Sequence, residues 1–319
     1  MEILVTGSIA YDYLMRFPGK FSDYLIDGQM HQVSLSFLVD EMTKHWGGTA
    51  ANIAYTMALL GMNPKLMGTV GRDFPDYRTW LEGVGVDCST VRQIDEVFTA
   101  SFFCNTDNVN NQIASFYTGA MAYARNYKLA DVYAGNPDLV LITPNDPLAM
   151  SQLAQECRDR GIKFVYDPSQ QVARLGGDEL AKDMQGAYVM VANAYESQVI
   201  SQKTGKSLDD MRHMVDILVI THGPRGCVVY RGNEEVSVEA FPTDAMKDPT
   251  GGGDAFRAGF VYGLINGYSL EVAAQMGSLS ATYAIEHVGT QSHRFTPTEF
   301  VARFRTQYDD NGTLNRLLA

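Results

Sequence analysis

Residues 248–260 read DPTGGGDAFRAGF, and this stretch carries the strongest structural signal in the chain. Three glycines, Gly251–Gly253, stand directly before Asp254 and a run with helical character. Glycine lets the backbone approach a ligand closely, and the first turn of a helix presents unpaired N–H groups and a positive dipole end. The pattern therefore predicts an anion site in which Asp254 either accepts a proton from an attacking hydroxyl or caps the helix that follows.

Strand-like and helical segments alternate along the chain outward from this stretch. Short apolar runs predict buried strands at 2–6, 65–70, 139–143, 162–166, 188–192 and 217–221. Helical periodicity is found at about 49–60, 75–83, 147–160, 254–266 and 270–286. Such alternation is typical of a largely parallel sheet covered by helices on both faces, so we expect one α/β domain over residues 1–319.

Two segments interrupt the alternation and predict a small separate sheet. Residues 30–40 and 97–117 are rich in β-branched and aromatic residues, and the second is expected to form a hairpin around Asp107–Asn111. We expect these segments to form a lid, with bounds of about 13–45 and 97–118, that projects from the main domain. The alternative is an edge hairpin on the main sheet.

The composition narrows the classes of function. The 319 residues are 45% hydrophobic and 19% charged, as in a soluble globular protein, and carry a net charge of −12. That acidity disfavours nucleic acid as a partner, because a duplex binder needs a basic surface, but a small anion can still be held by backbone dipoles. The four cysteines form no C-x-x-C pair and the six histidines no i,i+4 pair, which disfavours a zinc enzyme. Because we find no leader and no membrane-length apolar run, we expect a cytoplasmic protein with no membrane partner.

Other polar residues follow predicted strands or begin predicted helices. Ser8 and Asp12 follow the first strand, where ligands of open parallel sheets gather, so Asp12 is placed to accept hydrogen bonds from a vicinal diol. Gly47 and Gly48 precede a predicted helix, and Asn52 lies one turn into it, within reach of sugar hydroxyls. Taken alone, a Gly pair before a helix is commonplace, and an Asp in such a loop is more often a cap.

Four motifs in chain order resemble those of the ribokinase-like (PfkB) kinases. They are GGTAANIA at 47–54 (family G-G-x-x-x-N-x-A), NAYE at 193–196 (N-x-x-E), THGPRG at 221–226 (T-x-G-x-x-G) and DPTGGGDAF at 248–256 (D-T-x-G-A-G-D-x-F). Pro249 and Gly252 depart from the last pattern, where the family often has Thr and Ala, but the glycine run and the acid remain. The resemblance implies a ribokinase-like three-layer α/β/α domain with a small β-sheet lid, and a kinase that uses ATP and Mg²⁺.

The resemblance also implies a role for each matching residue. Asp254 corresponds to the catalytic base and Gly251–Gly253 to an anion hole for the transferred phosphate. The acceptor is expected to contact Ser8, Asp12, Gly48 and Asn52, and the nucleotide to contact Asn193, Thr221, Gly223, Gly226 and Arg257. Glu196 is expected to hold Mg²⁺ through water, and Asp248 and Thr250 correspond to a site for a monovalent cation such as K⁺. The alternative for Arg257 is a salt bridge to a surface acid.

Further segments resemble the bacterial adenosine kinases of this family. They are Thr6–Phe17, Val33–Asp40, Gln112–Gly119, Asp167–Leu175 and Asp248–Phe260. The resemblance implies transfer of the ATP γ-phosphate to the 5′-hydroxyl of adenosine, giving AMP and ADP in purine salvage. Phe102 and Phe116, on the two arms of the hairpin, are expected to sandwich the base, and Gln170 and Gln171 to read its edge. Ser36, on another lid strand, is expected to reach a neighbouring subunit's site if lids pair in a homodimer.

Two other kinds of function stay open at this point. A sugar kinase or a broader nucleoside kinase would share the Gly251–Asp254 site, although a sugar kinase needs polar residues in place of Phe102 and Phe116. A non-catalytic nucleoside sensor would have no need of Asp254 or of the glycine run.

Overall fold

The computed structural model describes residues 1–24 and 35–318. Its strands are β1 Ile3–Thr6, β2 Ala10–Arg16, β3 Glu41–Gly47, β4 Lys65–Met67, β5 Thr69–Gly71, β6 Arg92–Ile94, β7 Ala100–Thr106, β8 Gln112–Tyr117, β9 Leu139–Ile142, β10 Phe164–Tyr166, β11 Val189–Asn193, β12 Ile217–Thr221, β13 Cys227–Arg231 and β14 Glu234–Val238. Its α-helices are α1 Thr49–Leu59, α2 Pro75–Gly83, α3 Leu129–Val132, α4 Pro147–Arg160, α5 Gly177–Met184, α6 Ala194–Thr204, α7 Leu208–Met214, α8 Gly252–Ile265, α9 Leu270–Ile285 and α10 Pro297–Phe304. Short 3₁₀ turns occupy Phe21–Tyr24, Gly119–Asn126, Ser169–Ala173, Gly223–Arg225 and Thr313–Leu318.

The centre of the fold is an eight-stranded sheet in the order β14-β13-β12-β11-β10-β9-β1-β4. The strands from β12 to β4 run parallel, and β13 and β14 add an antiparallel edge. Strands buried on both faces read as continuous apolar runs, which is why they were predictable from the sequence. The predicted largely parallel sheet is confirmed.

Helices cover both faces of this sheet. Ile3 and Val5 pack into one core together with α1, α8 and α9, whereas Leu4 points into a second core formed with α4, α5, α6 and α7. Alternate residues of a strand point to opposite faces, so one strand contributes to both cores. The three-layer α/β/α arrangement is therefore confirmed. Within the described residues, none of these helices has both the length and the apolar content needed to cross a membrane.

The predicted strand at 65–70 is in fact two strands. Gly68 separates β4, in the main sheet, from β5, which pairs with β6 in a small parallel sheet of its own. A side chain at position 68 would lie 2.9 Å from the carbonyl oxygen of Gly7, so the close approach to the end of β1 requires glycine there. The apolar pattern alone carried no sign of this break.

A separate four-stranded sheet in the order β3-β2-β7-β8 contains the predicted hairpin. β7 and β8 pair antiparallel around the turn at Asp107–Asn111, as expected. The Asp107 carboxylate accepts hydrogen bonds from the backbone N–H groups of Val109 and Asn111, at 3.0 and 2.8 Å, and Asn110 has a φ of 66°. Asp and Asn favour turns because of such side-chain hydrogen bonds to the backbone and their tolerance of positive φ, so the predicted hairpin is confirmed.

The prediction of a strand within 30–40 is wrong where the structure describes it. Residues 30–34 lie outside the described residues, and residues 35–40 form no strand. Phe37 instead packs against Phe17 and Phe21, with ring centroids 5.1 and 4.9 Å apart, so its aromatic character serves a local cluster. On this side β2 pairs instead with β3. Most residues of β3 are exposed and some are charged, so the sequence shows no alternation of apolar and polar residues there.

Candidate active site

The end of β1 and the start of α1 bring the first predicted acceptor residues together. The side-chain oxygen of Ser8 accepts a hydrogen bond from the backbone N–H of Thr49 at 3.0 Å. Gly48 has a φ of 92°, and a Cβ there would lie 2.6 Å from the backbone of Ser8 and Ala10, so only glycine allows this contact. Asp12, on β2 of the small sheet, lies against Gly47, where a Cβ would be 2.4 Å from its Oδ2, so it reaches the turn into α1, the helix that carries Asn52.

Asn52 contacts Asp254 directly. Its side-chain nitrogen Nδ2 donates a hydrogen bond of 2.8 Å to Oδ2 of Asp254. The alternative in which Asp254 caps α8 is wrong, because the helix already begins at Gly252 and Asp254 lies within its first turn. The carboxylate therefore points toward the site and not back onto its own helix.

The glycine turn leaves backbone donors unused. Gly251 has a φ of 81°, and a Cβ there would lie 2.9 Å from Thr290, so the turn into α8 requires glycine at this position. The N–H groups of Gly253 and Asp254 donate to no partner among the described residues. Free N–H groups at a helix N-terminus are suited to an anion such as a transferred phosphate.

Burial raises the pKa values of the Asp254 and Asp12 carboxyls. Burial raises the pKa of Asp254 to about 6, with Asp167 and Asp12 adding to the increase and Arg257 and Asn52 opposing it. Burial, together with the charge of Asp248, likewise raises the pKa of Asp12 to about 6. Both carboxyls are therefore mostly ionised at pH 7.5 and can accept hydrogen bonds or a proton.

Arg257 lies beside two carboxylates of the candidate site. Its guanidinium pairs with Asp167, with Nε 2.5 Å from Oδ2, and Nη2 donates to Ser169 Oγ at 2.8 Å. Asp167 is fully buried, so the alternative of a surface acid is wrong. Nη1 lies 3.9 Å from Oδ1 of Asp254, which makes Arg257 the cation closest to that carboxylate in the contacts described.

The residues predicted to contact the nucleotide lie at neighbouring strand ends. Asn193 ends β11 opposite Thr221, which ends β12. The side chains of Asn193 and Glu196 each accept a hydrogen bond of 2.8 Å from the other's backbone N–H, which fixes the start of α6. Gly226 has a φ of 87°, and a Cβ there would lie 1.9 Å from a carbonyl oxygen of Val238, so the loop from Thr221 through Gly223 needs glycine at its end.

The small sheet lines up four side chains in one row. His45, Asp12, Phe102 and Phe116 are direct partners across β3, β2, β7 and β8, so all four point to the same face as Asp12. This register contradicts a sandwich in which the base lies between the two rings. Direct cross-strand neighbours lie side by side, so Phe102 and Phe116 together form one surface for a flat ligand.

The remaining predicted residues are less closely connected to Asp254. Gln170 is exposed, and Gln171 is buried with its side-chain oxygen unpartnered among the described residues. Ser36 is exposed and lies outside the strands, so its assignment to a lid strand is wrong. Asp248 accepts hydrogen bonds from the N–H groups of Thr250 and Gly289 at 2.9 and 3.2 Å, which joins it to the loop after α9.

The sequence matches the pfkB family carbohydrate kinases over residues 5–298. The chain belongs to this family. The structure of the Burkholderia thailandensis nucleoside kinase in complex with inosine matches with a TM-score of 0.85 and 34% identity, over 96% of this chain and 98% of that chain. The Methanocaldococcus jannaschii nucleoside kinase structure matches with a TM-score of 0.84 and 26% identity, over 96% and 98% of the two chains. The curated nucleoside kinase of Methanothermobacter thermautotrophicus is 27% identical over 310 residues, 96% of each chain.

Family membership confirms the resemblance drawn from the four motifs and makes this protein a kinase of the ribokinase fold. A kinase needs a divalent cation for its nucleotide. Within the described residues, no three His, Cys, Asp or Glu side chains form a metal cluster. Mg²⁺ takes most of its ligands from water and phosphate oxygens, so a single buried carboxylate such as Glu196 beside a nucleotide fits that ion.

The sequence analysis missed three side chains that contact the predicted site residues Arg257 and Asn52. Asp167 follows the predicted strand at 162–166, and the rule that applied to Asp12 would have found it. Thr290 and Gln291 both contact Asn52, but they lie in a loop without a motif and carried no signal.

Proposed function

We propose that this kinase transfers the γ-phosphate of ATP to the 5′-hydroxyl of a purine nucleoside, with adenosine as the first candidate, giving AMP and ADP. The observation that carries the proposal is the hydrogen bond between Asn52 and Asp254 beside the unpaired N–H groups of α8. The family supports the phosphate transfer, and the relatives named nucleoside kinases support the class of acceptor.

Asp254 is proposed to accept the proton of the attacking hydroxyl. Its Oδ2 already accepts the hydrogen bond from Asn52, so Oδ1 is the oxygen left for the 5′-hydroxyl. A pKa of about 6 leaves the carboxylate ionised at neutral pH yet basic enough to take a proton as the phosphate bond forms. The Gly251–Gly253 turn would receive the γ-phosphate on its free N–H groups, where the developing charge is stabilised without reorganisation.

The ribose is proposed to lie between Asp12 and Asn52, against Ser8 and Gly48. An ionised Asp12 can accept hydrogen bonds from both hydroxyls of a vicinal diol. Nδ2 of Asn52 carries two protons and gives one to Asp254, so the second is available to a ribose hydroxyl. Holding the sugar at these points would bring its 5′-hydroxyl to Asp254.

The base is proposed to lie on the surface formed by Phe102 and Phe116, with Gln171 at its edge and Gln170 nearby. Stacking on aromatic rings is worth about 1–3 kcal/mol per base. A side-chain amide can turn over, so Gln171 can serve the donor–acceptor pair of adenine or the reversed pair of hypoxanthine. Inosine is therefore the second candidate acceptor, and it is the ligand in the Burkholderia thailandensis complex.

Several further expectations belong to this proposal. Asn193, Thr221, Gly223 and Gly226 would contact the nucleotide, and Glu196 would hold Mg²⁺, which neutralises phosphate charge. Asp248 and Thr250 would hold a monovalent cation such as K⁺. The small sheet would close as a lid and join a homodimer, with Ser36 near the partner's site, in a cytoplasmic protein. Arg257 would act through Asp167 and Asp254, since its Nη2 donates to Asp167 at 2.9 Å and its Nη1 lies 3.9 Å from the Asp254 carboxylate.

The rival functions make different demands on the same site. A sugar kinase leaves the apolar Phe102–Phe116 surface without a ligand, and a sensor has no use for free N–H groups beside an ionised Asp254. The relative initial rates with adenosine, inosine, guanosine, ribose and fructose 6-phosphate, all with Mg-ATP, would distinguish these functions. Turnover of purine nucleosides at least about tenfold above the sugars supports the proposal. Sugar turnover alone overturns the choice of acceptor, and binding of nucleosides without turnover indicates a sensor.

A further inference from the structure

Gln291 occupies a buried position behind the site. It lies in the loop that follows α9 and is 2% exposed. Its Nε2 donates a hydrogen bond of 3.0 Å to Oδ1 of Asn52 and another to the hydroxyl of Tyr77. Its Oε1 accepts a hydrogen bond of 3.1 Å from the indole N–H of Trp80. The side chain therefore connects α2 to the residue that contacts Asp254.

These contacts fix the direction of every hydrogen bond between Trp80 and Asp254. The indole nitrogen of tryptophan can only donate, so the oxygen of Gln291 must face Trp80 and its NH₂ group must face Asn52. The oxygen of Asn52 must then face Gln291, which leaves the NH₂ group of Asn52 toward Asp254. Tyr77 agrees with this direction, because its hydroxyl donates to the carbonyl of Gly47 at 2.8 Å and is free to accept from Gln291.

We propose that Gln291 is a positioning residue that holds the amide of Asn52 with its NH₂ group toward the Asp254 carboxylate. The inference rests on the proposed function only in treating Asp254 as the base. A donor toward a carboxylate favours its ionised form, so the direction of the amide sets the pH at which Asp254 can act. The other charged groups facing Asp254 are Arg257 of its own helix, Asp167 after β10 and Asp12 on β2, and a change at position 291 leaves all three in place.

Thr290 does not substitute for Gln291. Its hydroxyl oxygen lies 2.8 Å from both the carbonyl oxygen of Trp46 and Oδ1 of Asn52. A hydroxyl has one proton, so it can donate fully to only one of these two acceptors. Nε2 of Gln291 carries two protons and donates one to Asn52 and one to Tyr77, so its hydrogen bond to Oδ1 of Asn52 is not shared with another acceptor.

The decisive variant is Gln291→Glu, which keeps the size of the side chain and replaces its donor with an acceptor. Asn52 is then expected to turn over and present its oxygen to Asp254. We expect the pKa of Asp254 to rise by about one unit or more. The titration would be followed by NMR of protein labelled with ¹³C at the aspartate carboxyls, with Asp254→Asn to assign the signal. The kcat/KM profile should begin to fall at a higher pH, because the acidic limb then starts with the raised pKa of Asp254.

Ser292→Glu is the charge control, since it adds the same charge one residue away on an exposed side chain. In Ser292→Glu the pKa of Asp254 should shift by less than half as much as it does in Gln291→Glu. Equal shifts in the two variants would overturn the proposal, because charge alone would explain them. A folded Gln291→Glu variant with the wild-type pKa would overturn it as well.

Gln291→Met covers the case in which Gln291→Glu fails to fold. It removes the donor without adding charge, and a smaller rise of about half a unit is expected because Asn52 becomes free to turn over. A purely structural role for Gln291 would lower thermal stability and leave the pKa where it is, which would contradict the inference. If the wild type phosphorylates no nucleoside, the proposed function fails, whereas the carboxyl titration still decides the role of Gln291.

Discussion

The side-chain amide of Asn52 and the carboxylate of Asp254 are joined by a 2.8 Å hydrogen bond across 202 positions of sequence. One residue belongs to the first long helix and the other to the helix that follows the glycine turn. Because the two residues come from distant parts of the chain, this contact depends on the packing of α1 against α8. The consequences of this pairing can be measured.

Activity should fall as the pH drops through about 6. The pKa values of Asp12 and Asp254 are both raised to about 6, and the proposed chemistry needs both carboxylates ionised. A plot of log kcat/KM for adenosine against pH should therefore bend near pH 6 and fall with a slope steeper than 1 below it. In Asp12→Asn, which is slower, the slope should be close to 1. A wild-type profile that is flat between pH 5 and 8 would contradict these roles.

Asp254→Asn should make the protein more stable at pH 7.5. The pKa of Asp254 is about 6 in the folded protein, above the ordinary value of 3.8. Between pH 3.8 and 6 the folded state therefore binds more protons than the unfolded state, and above pH 6 the ionised carboxylate lowers the stability of the fold. Removing the charge should raise the melting temperature at pH 7.5 by a few degrees, and the gain should vanish as the pH approaches 4. Glu234→Gln, on the exposed edge strand, should show no such gain.

The two glycines at the start of α8 should respond differently to alanine. Gly251→Ala forces a side chain into a φ of 81° against Thr290 and should cost about 1–3 kcal/mol of stability. A Cβ at Gly252 would lie 2.8 Å from the Cγ2 atom of Ile285, but the backbone there is ordinarily helical. Only that side chain has to shift, so Gly252→Ala should cost less than Gly251→Ala, about 1 kcal/mol. Urea denaturation measures both, and equal losses would contradict this account of the turn.

Phe116→Ala should weaken binding of the nucleoside more than it slows the reaction. Loss of one stacking surface should raise KM for adenosine roughly 5- to 150-fold with kcat changed only a few-fold. Ile113→Ala is a matched control, because Ile113 and Phe116 are both 48% exposed and lie on opposite faces of β8. A similar rise in KM in both variants would indicate a general effect on the sheet.

Arg257→Met should destabilise the whole domain. The substitution leaves Asp167 as a buried charge without its partner, which commonly costs about 3–5 kcal/mol. The double variant Arg257→Met with Asp167→Leu should recover part of that loss, because no isolated charge then remains. The free energy of unfolding from urea titration tests both, and a loss below about 1 kcal/mol in the single variant would contradict the pairing.

The parts of the fold predicted from sequence are those with a local cause. The buried strands of the main sheet read as apolar runs, and the hairpin around Asp107–Asn111 has its own turn chemistry. β3 was missed because an edge strand with exposed, charged residues has no apolar period. The break at Gly68 was missed because the contact that requires glycine there is with Gly7, which is distant in sequence.

The same distinction holds for the candidate site. Asp254 and Asn52 belong to motifs and Asp12 follows the first strand, so all three were predicted as site residues. The contact between Asn52 and Asp254 required the structure. The alternative of a surface acid as the partner of Arg257 was wrong because the burial of Asp167 depends on the sheet and is not visible in the sequence. Gln291 stands in no motif, and its importance follows only from the hydrogen bonds that converge on it.

The most direct measurement is the rate at which AMP forms from adenosine and Mg-ATP with the wild type and with Asp254→Asn, followed by anion-exchange chromatography. We expect AMP and ADP in equal amounts from the wild type, and a rate lower by about 10²- to 10⁴-fold in the folded variant, as for the loss of a general base. Wild-type protein that forms no nucleoside monophosphate from any purine nucleoside would contradict the proposed activity. A variant as fast as the wild type would contradict the role of Asp254.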